Sequence, residues 1–571
     1  MTTHPAPHQK RMTGPAHEAL PARRRARGHD ALGLRAGICL SPRLAQLLAP
    51  EWRQVELRPG TELDAAALDL VLLEVQHGSV PGWGRHQGRL EGAVRRWSAQ
   101  GLPVVVWCTR GSPEQLRWIG EVTAVAVASA REHERALHGG DPVLWMPAAA
   151  QPRRHRPAAN FSGRRGAVTV VDGLADLEDD SPLADVLAPA LGPLAAGDLR
   201  VVRVQGKSSW VRLPPSLAER AASPTAWEDL EDSLGQARVA VDLSGSSAAA
   251  SWTSVALASS AVALVGTTTL QGDLPGELEE LVPRRARAAE LRSEVVARVH
   301  QEELAAREGH RARRAVLTGH TAAHRVRSIA QAAGVAAPQP GRSVSAVVPT
   351  NRVHQIDTVL ENLARQSHPE VELVLVLHGL DLGADRIHAR ATALGLDHLV
   401  VVHADASLTL GACMNRGIDA SSGRYIAKMD DDNYYGEHYL TDLVLAFGST
   451  SAGIVGKWCH YVWLRSSDAV VLRYPDAEHS LERRIQGGSM LFDGDVVRDL
   501  RFGDLPRAVD SDILDRAVAH EVEIYSADRF NFVSIRGADP HAHTWTVADS
   551  TFMTRTGRLM FYGDPRAHVS V

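Results

Sequence analysis

Asp430-Asp431-Asp432 is the group of residues best placed to do chemistry in this chain. It follows the run Arg424-Tyr425-Ile426-Ala427, which reads as a strand. Carboxylates held together at a strand end raise one another's pKa. A divalent cation relieves that cost, and hard cations prefer oxygen ligands. A site of this kind can hold the diphosphate of an activated donor and neutralise it as a leaving group. Alternate residues of an extended chain share a face, so Asp430 and Asp432 can address one cation, or one cation and a ribose. Asp431 then points the other way, as a backbone support or a donor contact. An isolated acidic triplet would read as a solvated turn, so the surrounding elements decide.

Those elements alternate. Strand-like runs at residues 35–40, 70–75, 104–107, 124–127 and 143–147 form a first block, and runs at 167–171, 201–204, 239–243 and 261–265 a second. Short apolar runs separated by helical segments predict parallel α/β layers. Residues 274–334, rich in Ala, Glu, Arg and Leu at helical spacing, lead to the linker Ala336-Ala337-Pro338-Gln339-Pro340-Gly341. A last domain opens with Val344 to Val348, which runs into Pro349 and Thr350, and a strand ending this way has the ligand-site geometry of open α/β sheets. The expected organisation is a basic tail at 1–34, lobes at 35–150 and 151–335, a linker at 336–342 and a final domain at 343–571.

Bulk properties narrow the class. A chain of 571 residues with net charge −5 has no global field that would draw it to nucleic acid. The four cysteines show no metal-ligand spacing and no disulfide framework, which fits a reducing cytoplasm. No run reads as membrane-spanning. The cluster Arg23-Arg24-Arg25-Ala26-Arg27 leaves room for peripheral association with the inner face of a membrane.

Residues 343 to about 560 resemble a family-2 glycosyltransferase of the GT-A fold. The resemblance rests on five segments in family order: Ala346–Arg352, Leu410–Ile418, Ser422–Asp432, Gln486–Phe492 and Val509–Arg516. It implies a Rossmann-like mixed sheet and a nucleotide-sugar donor. Pro349, Thr350, Arg352, Asn415, Arg416, Asp430 and Asp431 would then contact the donor, and Mn2+ or Mg2+ would sit at Asp430 and Asp432. His543 stands where the resemblance places a metal- or phosphate-binding histidine. Asp510 matches the Asp of the family's Glu-Asp pair, whose Glu is replaced here by Val509, and would be the base that deprotonates the acceptor. Asp512 is the alternative base. Helix capping is the competing use of both. Gly487 and Gly488 would let backbone approach the acceptor closely. Two departures matter. Where many relatives carry Asp-Asp-Gly this chain has Leu377-His378-Gly379, and the Gln-x-x-Arg-Trp motif of processive relatives is missing from this segment. Addition of a single sugar is therefore expected.

Residues 35–335 resemble GT-B-like modules of the spore-maturation type, on Val143–Pro152, Asp242–Gly245, Ser254–Ala261 and His324–Ile329. Relatives place a Glu where Val255 stands, and Val cannot accept a ribose hydrogen bond. The module is expected to be degenerate, binding acceptor glycan or a partner. The whole is expected to be a metal-dependent, inverting, non-processive glycosyltransferase acting on a glycan or lipid-linked glycan. A noncatalytic glycan-binding scaffold and a nucleotidyltransferase are the alternatives.

Overall fold

The computed structural model describes residues 32–60, 65–139, 142–159, 163–172, 182–205, 212–231, 233–246, 248–270, 272–537, 549–553 and 556–571. Most of the basic tail therefore lies outside the described residues. Leu32 and Leu34 do not behave as tail: both are buried, in a core with Trp52, Val326 and Ile329.

Strands β1 (Arg35–Cys39), β2 (Arg53–Glu56), β3 (Leu70–Gln76), β4 (Val104–Arg110), β5 (Ala124–Val127) and β6 (Val143–Trp145) form a parallel sheet in the order β2-β1-β3-β4-β5-β6. Strands β7 (Ala167–Val171), β8 (Leu199–Arg203), β9 (Val239–Asp242), β10 (Ala263–Thr267) and β11 (Arg284–Arg285) form a second parallel sheet, β11-β10-β9-β7-β8. Central strands such as Val71 to Val75 and Val104 to Cys108 are buried along their length, as expected when helices cover both faces. The chain then crosses back. Helix Ala322–Ala332 packs Ala322, Val326, Ile329 and Ala330 onto the first sheet's core, and Arg325 donates to the carbonyls of Pro147 and Ala148 at 2.7 and 3.1 Å.

Residues 335–343 carry no regular structure and are mostly exposed. Beyond them come β12 (Val344–Thr350), β13 (Val371–His378), β14 (Leu399–Ala404), β15 (Tyr425–Lys428), β16 (Tyr434–Tyr435), β17 (Ile454–Gly456), β18 (His460–Leu464), β19 (Ala469–Arg473), β20 (Ser480–Leu481), β21 (Met490–Asp493), β22 (Ile524–Ser526), β23 (Phe532–Arg536) and β24 (Gly557–Tyr562). Eight of these form a mixed sheet, β14-β13-β12-β15-β21-β17-β22-β20, and the other five a smaller sheet, β16-β23-β18-β19-β24. In the mixed sheet β12 runs parallel to β15, and β21 runs antiparallel on the other side of β15. The carboxyl ends of β12 and β15 and the start of β21 thus meet at one sheet edge.

The linker is not what holds the two halves together. Helix Glu302–Gly319 is shared between them. Its Ala312, Ala315 and Val316 lie in the core of the second sheet, while Ala305 and Ala306 lie in a core with Cys459, Tyr461 and Trp463. His310 Nε2 stands 2.9 Å from Asp442 Oδ2 and 3.7 Å from Asp528 Oδ1. Arg314 binds Asp442 through two nitrogens at 2.7 and 2.8 Å, and Lys457 Nζ stands 2.9 Å from Asp528. Burial opposes the charge on Asp442, but Arg314 and His310 outweigh it and hold its carboxyl well below the usual range. His310, Asp442 and Asp528 come close enough together to suggest a cation site. Arg314 and Lys457 supply one positive charge for each of the two carboxylates, so the cluster is balanced as an ion-pair network across the seam.

Candidate active site

The site is built where β15 ends. The chain leaves the strand at Lys428 and turns over residues 431–433, so the alternation of an extended chain stops short of the acidic triplet. This corrects the expected geometry. Asp431 does not point idly away: it is buried and accepts from Thr350 Oγ1 at 2.6 Å and from Arg352 Nε at 3.1 Å, with a second, close contact from the same guanidinium. Asp432 accepts from the same Arg352 at 2.9 Å. Asp430 has other partners, with Lys428 Nζ 2.7 Å from Oδ1 and Asn433 Nδ2 3.2 Å from Oδ2. The β12 end therefore grips Asp431 and Asp432, and β15 itself grips Asp430.

Lys428 was not singled out in the sequence, and it is the centre of the arrangement. Its side chain is 4% exposed, and its ammonium also donates to the Gly487 carbonyl at 3.1 Å and stands 3.2 Å from Asp510 Oδ1. Burial would favour its neutral form, but Asp430 and Asp510 outweigh that and hold it protonated above the usual lysine range. A lysine closing a run that is otherwise apolar, two residues before three carboxylates, was the available signal. Tyr435, fully buried, completes the frame: its hydroxyl donates to the Gly488 carbonyl and accepts from the Asp430 amide, both at 2.7 Å.

Asp510 lies in the first turn of helix Val509–Ala519, whose Val509, Ile513, Leu514 and Ala517 are buried against the sheet. No side chain caps this helix: Ala508, at the N-cap, is in the left-handed region with φ 58°. Capping is therefore not the use of Asp510. Its Oδ1 is buried 3.2 Å from the Lys428 ammonium, its Oδ2 lies over Gly487, and the side chain as a whole keeps 36% exposure. Burial raises its pKa, Lys428 opposes, Asp430 adds to the rise, and the net shift is upward. Asp512, two positions on, is turned roughly 200° around the helix. It is occupied by Arg516, which donates from two nitrogens at 2.9 Å each.

Gly487 and Gly488 are small for a visible reason. A Cβ on Gly487 would collide with the Asp510 carboxylate, and one on Gly488 with Asp430 and Asn433. The two glycines form the floor on which the carboxylates rest. Other expected contacts are placed differently. Asn415 donates to the Phe502 carbonyl at 2.8 Å and accepts from the Phe502 amide at 2.9 Å, a structural clamp. Arg416 is exposed, reaching the His403 carbonyl at 3.3 Å. Pro349 is part of β12 beside Thr350. His543 lies outside the described residues.

The charges test the fit of a cation. Asp430, Asp431, Asp432 and Asp510 bring four carboxylates, and Lys428 and Arg352 bring two positive charges. The excess of negative charge is visible at Asp432, where burial and then Asp430 raise the pKa despite Arg352. A divalent ion would balance the cluster, and an all-oxygen set suits Mn2+ or Mg2+.

Comparison with known proteins agrees with this edge of the sheet. Residues 345–495 match the model of Glycosyl transferase family 2. The match spans Thr350, Arg352, the acidic triplet and the glycine pair, and ends before Asp510. Similar solved structures include S. aureus TarS 1–349 in complex with UDP-GlcNAc, at 18% identity and TM-score 0.28, with 34% of this chain and 59% of that one covered. Another is the mannosyltransferase PcManGT from Pyrobaculum calidifontis with GDP-Man and Mn2+, at 15% identity and TM-score 0.28, covering 35% and 60%. The chain thus spans about three fifths of the length of these structures. No curated protein matches the chain.

Proposed function

We propose that this chain is a metal-dependent glycosyltransferase that moves one sugar from a nucleotide-sugar donor to a hydroxyl of a glycan or lipid-linked glycan, with inversion at the anomeric carbon. The observation that carries the reading is the pairing of Asp430 and Asp510 on one buried ammonium, Lys428, with Lys428 and Asp430 inside the segment that matches the family-2 model and Asp510 just beyond it. The Asp510 carboxylate takes the proton of the attacking hydroxyl. That hydroxyl oxygen bonds to the anomeric carbon as the bond from this carbon to the diphosphate breaks. Arg352, fixed by Asp431 and Asp432, presents its guanidinium to the diphosphate. Asp430 and Asp432 would hold Mn2+ or Mg2+, which supplies charge neutralisation to the leaving group. Gly487 and Gly488 give the Asp510 and Asp430 carboxylates the room they occupy.

The region before the linker supports a glycan- or partner-binding role on the same reading. Its two parallel sheets and returning helix suit a degenerate GT-B-like module. Between the sheets Arg43 donates to Asp172 at 2.6 Å and Thr253 at 3.2 Å and stacks on Trp227. Val255 is fully buried, and the Asp242 carboxylate is occupied by Ser244, Ser254 and Arg284. Neither offers a hydrogen bond to a ribose. Among the described residues no helix is long and apolar enough to cross a membrane.

The test is donor turnover. Protein with Mn2+ is given a panel of nucleotide sugars, beside D432A. Release of nucleoside diphosphate from one donor, lost without metal and in D432A, is the expected result. Release of pyrophosphate would replace the transferase reading with a nucleotidyltransferase.

A further inference from the structure

Trp458 lies on the same sheet edge as the carboxylates. It follows β17, whose next residue, Lys457, takes the Gln486 amide on its carbonyl at 2.9 Å, just ahead of Gly487 and Gly488. In the sheet order β15-β21-β17 the ends of β15 and β17 lie two strand spacings apart, roughly 10 Å, and Trp458 follows β17 as Asp430 follows β15. Arg352, just past the end of β12, lies on the opposite side of β15. Trp458 also packs on the core that holds Val509, Ile513 and Leu514, so it shares a face of the sheet with Asp510.

The ring is half-buried and lies flat on Tyr474, with centroids 4.0 Å apart and planes 12° from parallel. Behind Tyr474 comes the Arg473 guanidinium, 4.6 Å from that ring and 4.7 Å from Phe552, and behind Phe552 comes Arg536 at 4.7 Å. Trp458 stands at one end of this run of aromatic rings and guanidinium groups. Tyr474 is held in it with φ 47°, a conformation that costs a non-glycine residue about 1–3 kcal/mol. A strained backbone that fixes a partly exposed aromatic ring beside an active site is a reason to look for a ligand.

We propose that Trp458 is the stacking platform for a pyranose ring of the acceptor, beyond the sugar whose hydroxyl reacts. The ligand class is a saccharide presenting a face of C–H bonds to the indole. This rests on the transferase reading for the direction of the acceptor. That run keeps the indole plane fixed before the ligand arrives, so little freedom is lost on binding.

The experiment uses full-length wild type, W458A and W458F on an array of defined pyranose oligosaccharides with gluco-, galacto-, manno- and N-acetylhexosamine backbones, with thermal melting of each protein. The expected result is a subset bound by wild type, weakened roughly tenfold or more in W458A and largely restored in W458F. Equal binding by W458A, or no binding by wild type, overturns the platform. Loss in W458F as complete as in W458A, with both folded, also overturns it, because a stacked ring would then not be the cause. Donor turnover by wild type is scored separately. Glycan binding through Trp458 without turnover would sink the transferase reading and leave the platform standing, and turnover with Trp458-independent binding would do the reverse.

Discussion

Lys428 Nζ stands 3.2 Å from Asp510 Oδ1, although one residue closes a strand and the other opens a distant helix. The same ammonium is 2.7 Å from Asp430. The candidate base and a candidate metal ligand are thus fixed relative to each other through one buried charge. Replacing Lys428 by Met should leave two carboxylates facing one another without compensation. Breaking a buried ion pair typically costs about 3–5 kcal/mol. We expect K428M to lose nearly all diphosphate release and to melt at lower temperature, with K428R recovering part of both. Near wild-type turnover in K428M would show that the ammonium is dispensable.

Asp510 and Asp512 should separate cleanly. D510N should lower turnover by about 10²–10⁴, the usual worth of a general base, with donor binding largely kept. D512N should act chiefly on stability, since its partner is Arg516. Because the Asp510 pKa is raised, the base is lost to protonation at a higher pH than an ordinary aspartate would be. The acid limb of kcat/KM should lie above the usual carboxylate range and persist in D512N. A limb in the ordinary range would argue against Asp510 as the titrating group.

Gly488→Ala and Gly487→Ala test the floor of the site. The added methyl would press on Asp430 in the first case and on Asp510 in the second. G488A should weaken Mn2+ binding, followed by calorimetry or electron paramagnetic resonance, while G487A should spare metal binding and lower turnover. If both variants lose metal equally, the two glycines do not divide the site in this way.

At the seam, D442N leaves Arg314 and His310 buried against a neutral amide. We expect a loss of about 3–5 kcal/mol in urea unfolding. The folded-state pKa of Asp442 is depressed, so its contribution is present above the unfolded value and vanishes as pH falls through the lower, folded one. Wild type should lose stability steeply in acid, below the usual carboxylate range, and D442N should show a shallower loss.

Much of the scaffold could be read from the chain itself. The apolar runs at 104–107 and 124–127 became β4 and β5, and the segment after Val509 buries Ile513, Leu514 and Ala517 as its spacing demands. Two of the strands that escaped notice, Arg53–Glu56 and Arg284–Arg285, lie at sheet edges and carry charge instead of an apolar run, and the strands after Lys428, such as His460–Leu464 and Ala469–Arg473, were not read either. In the site, the turn after Lys428 was invisible because a row of aspartates gives no periodicity, and it is this turn that brings Asp431 and Asp432 to one arginine. The seam was hidden for a related reason. A helix carrying Glu302, Glu303, Arg307, His310, Arg313 and Arg314 reads as solvent-facing until the opposing charges of another part of the chain are placed against it.

That helix also sets what heredity can do with this protein. Recombination at the proline-rich stretch before β12 looks harmless from the sequence. It would hand on a catalytic half whose Asp442 has lost both His310 and Arg314, and a remainder whose Ala305 and Ala306 are bare. A gene fragment that travels intact must begin ahead of Glu302, so the smallest exchangeable unit carries a piece of the other half with it.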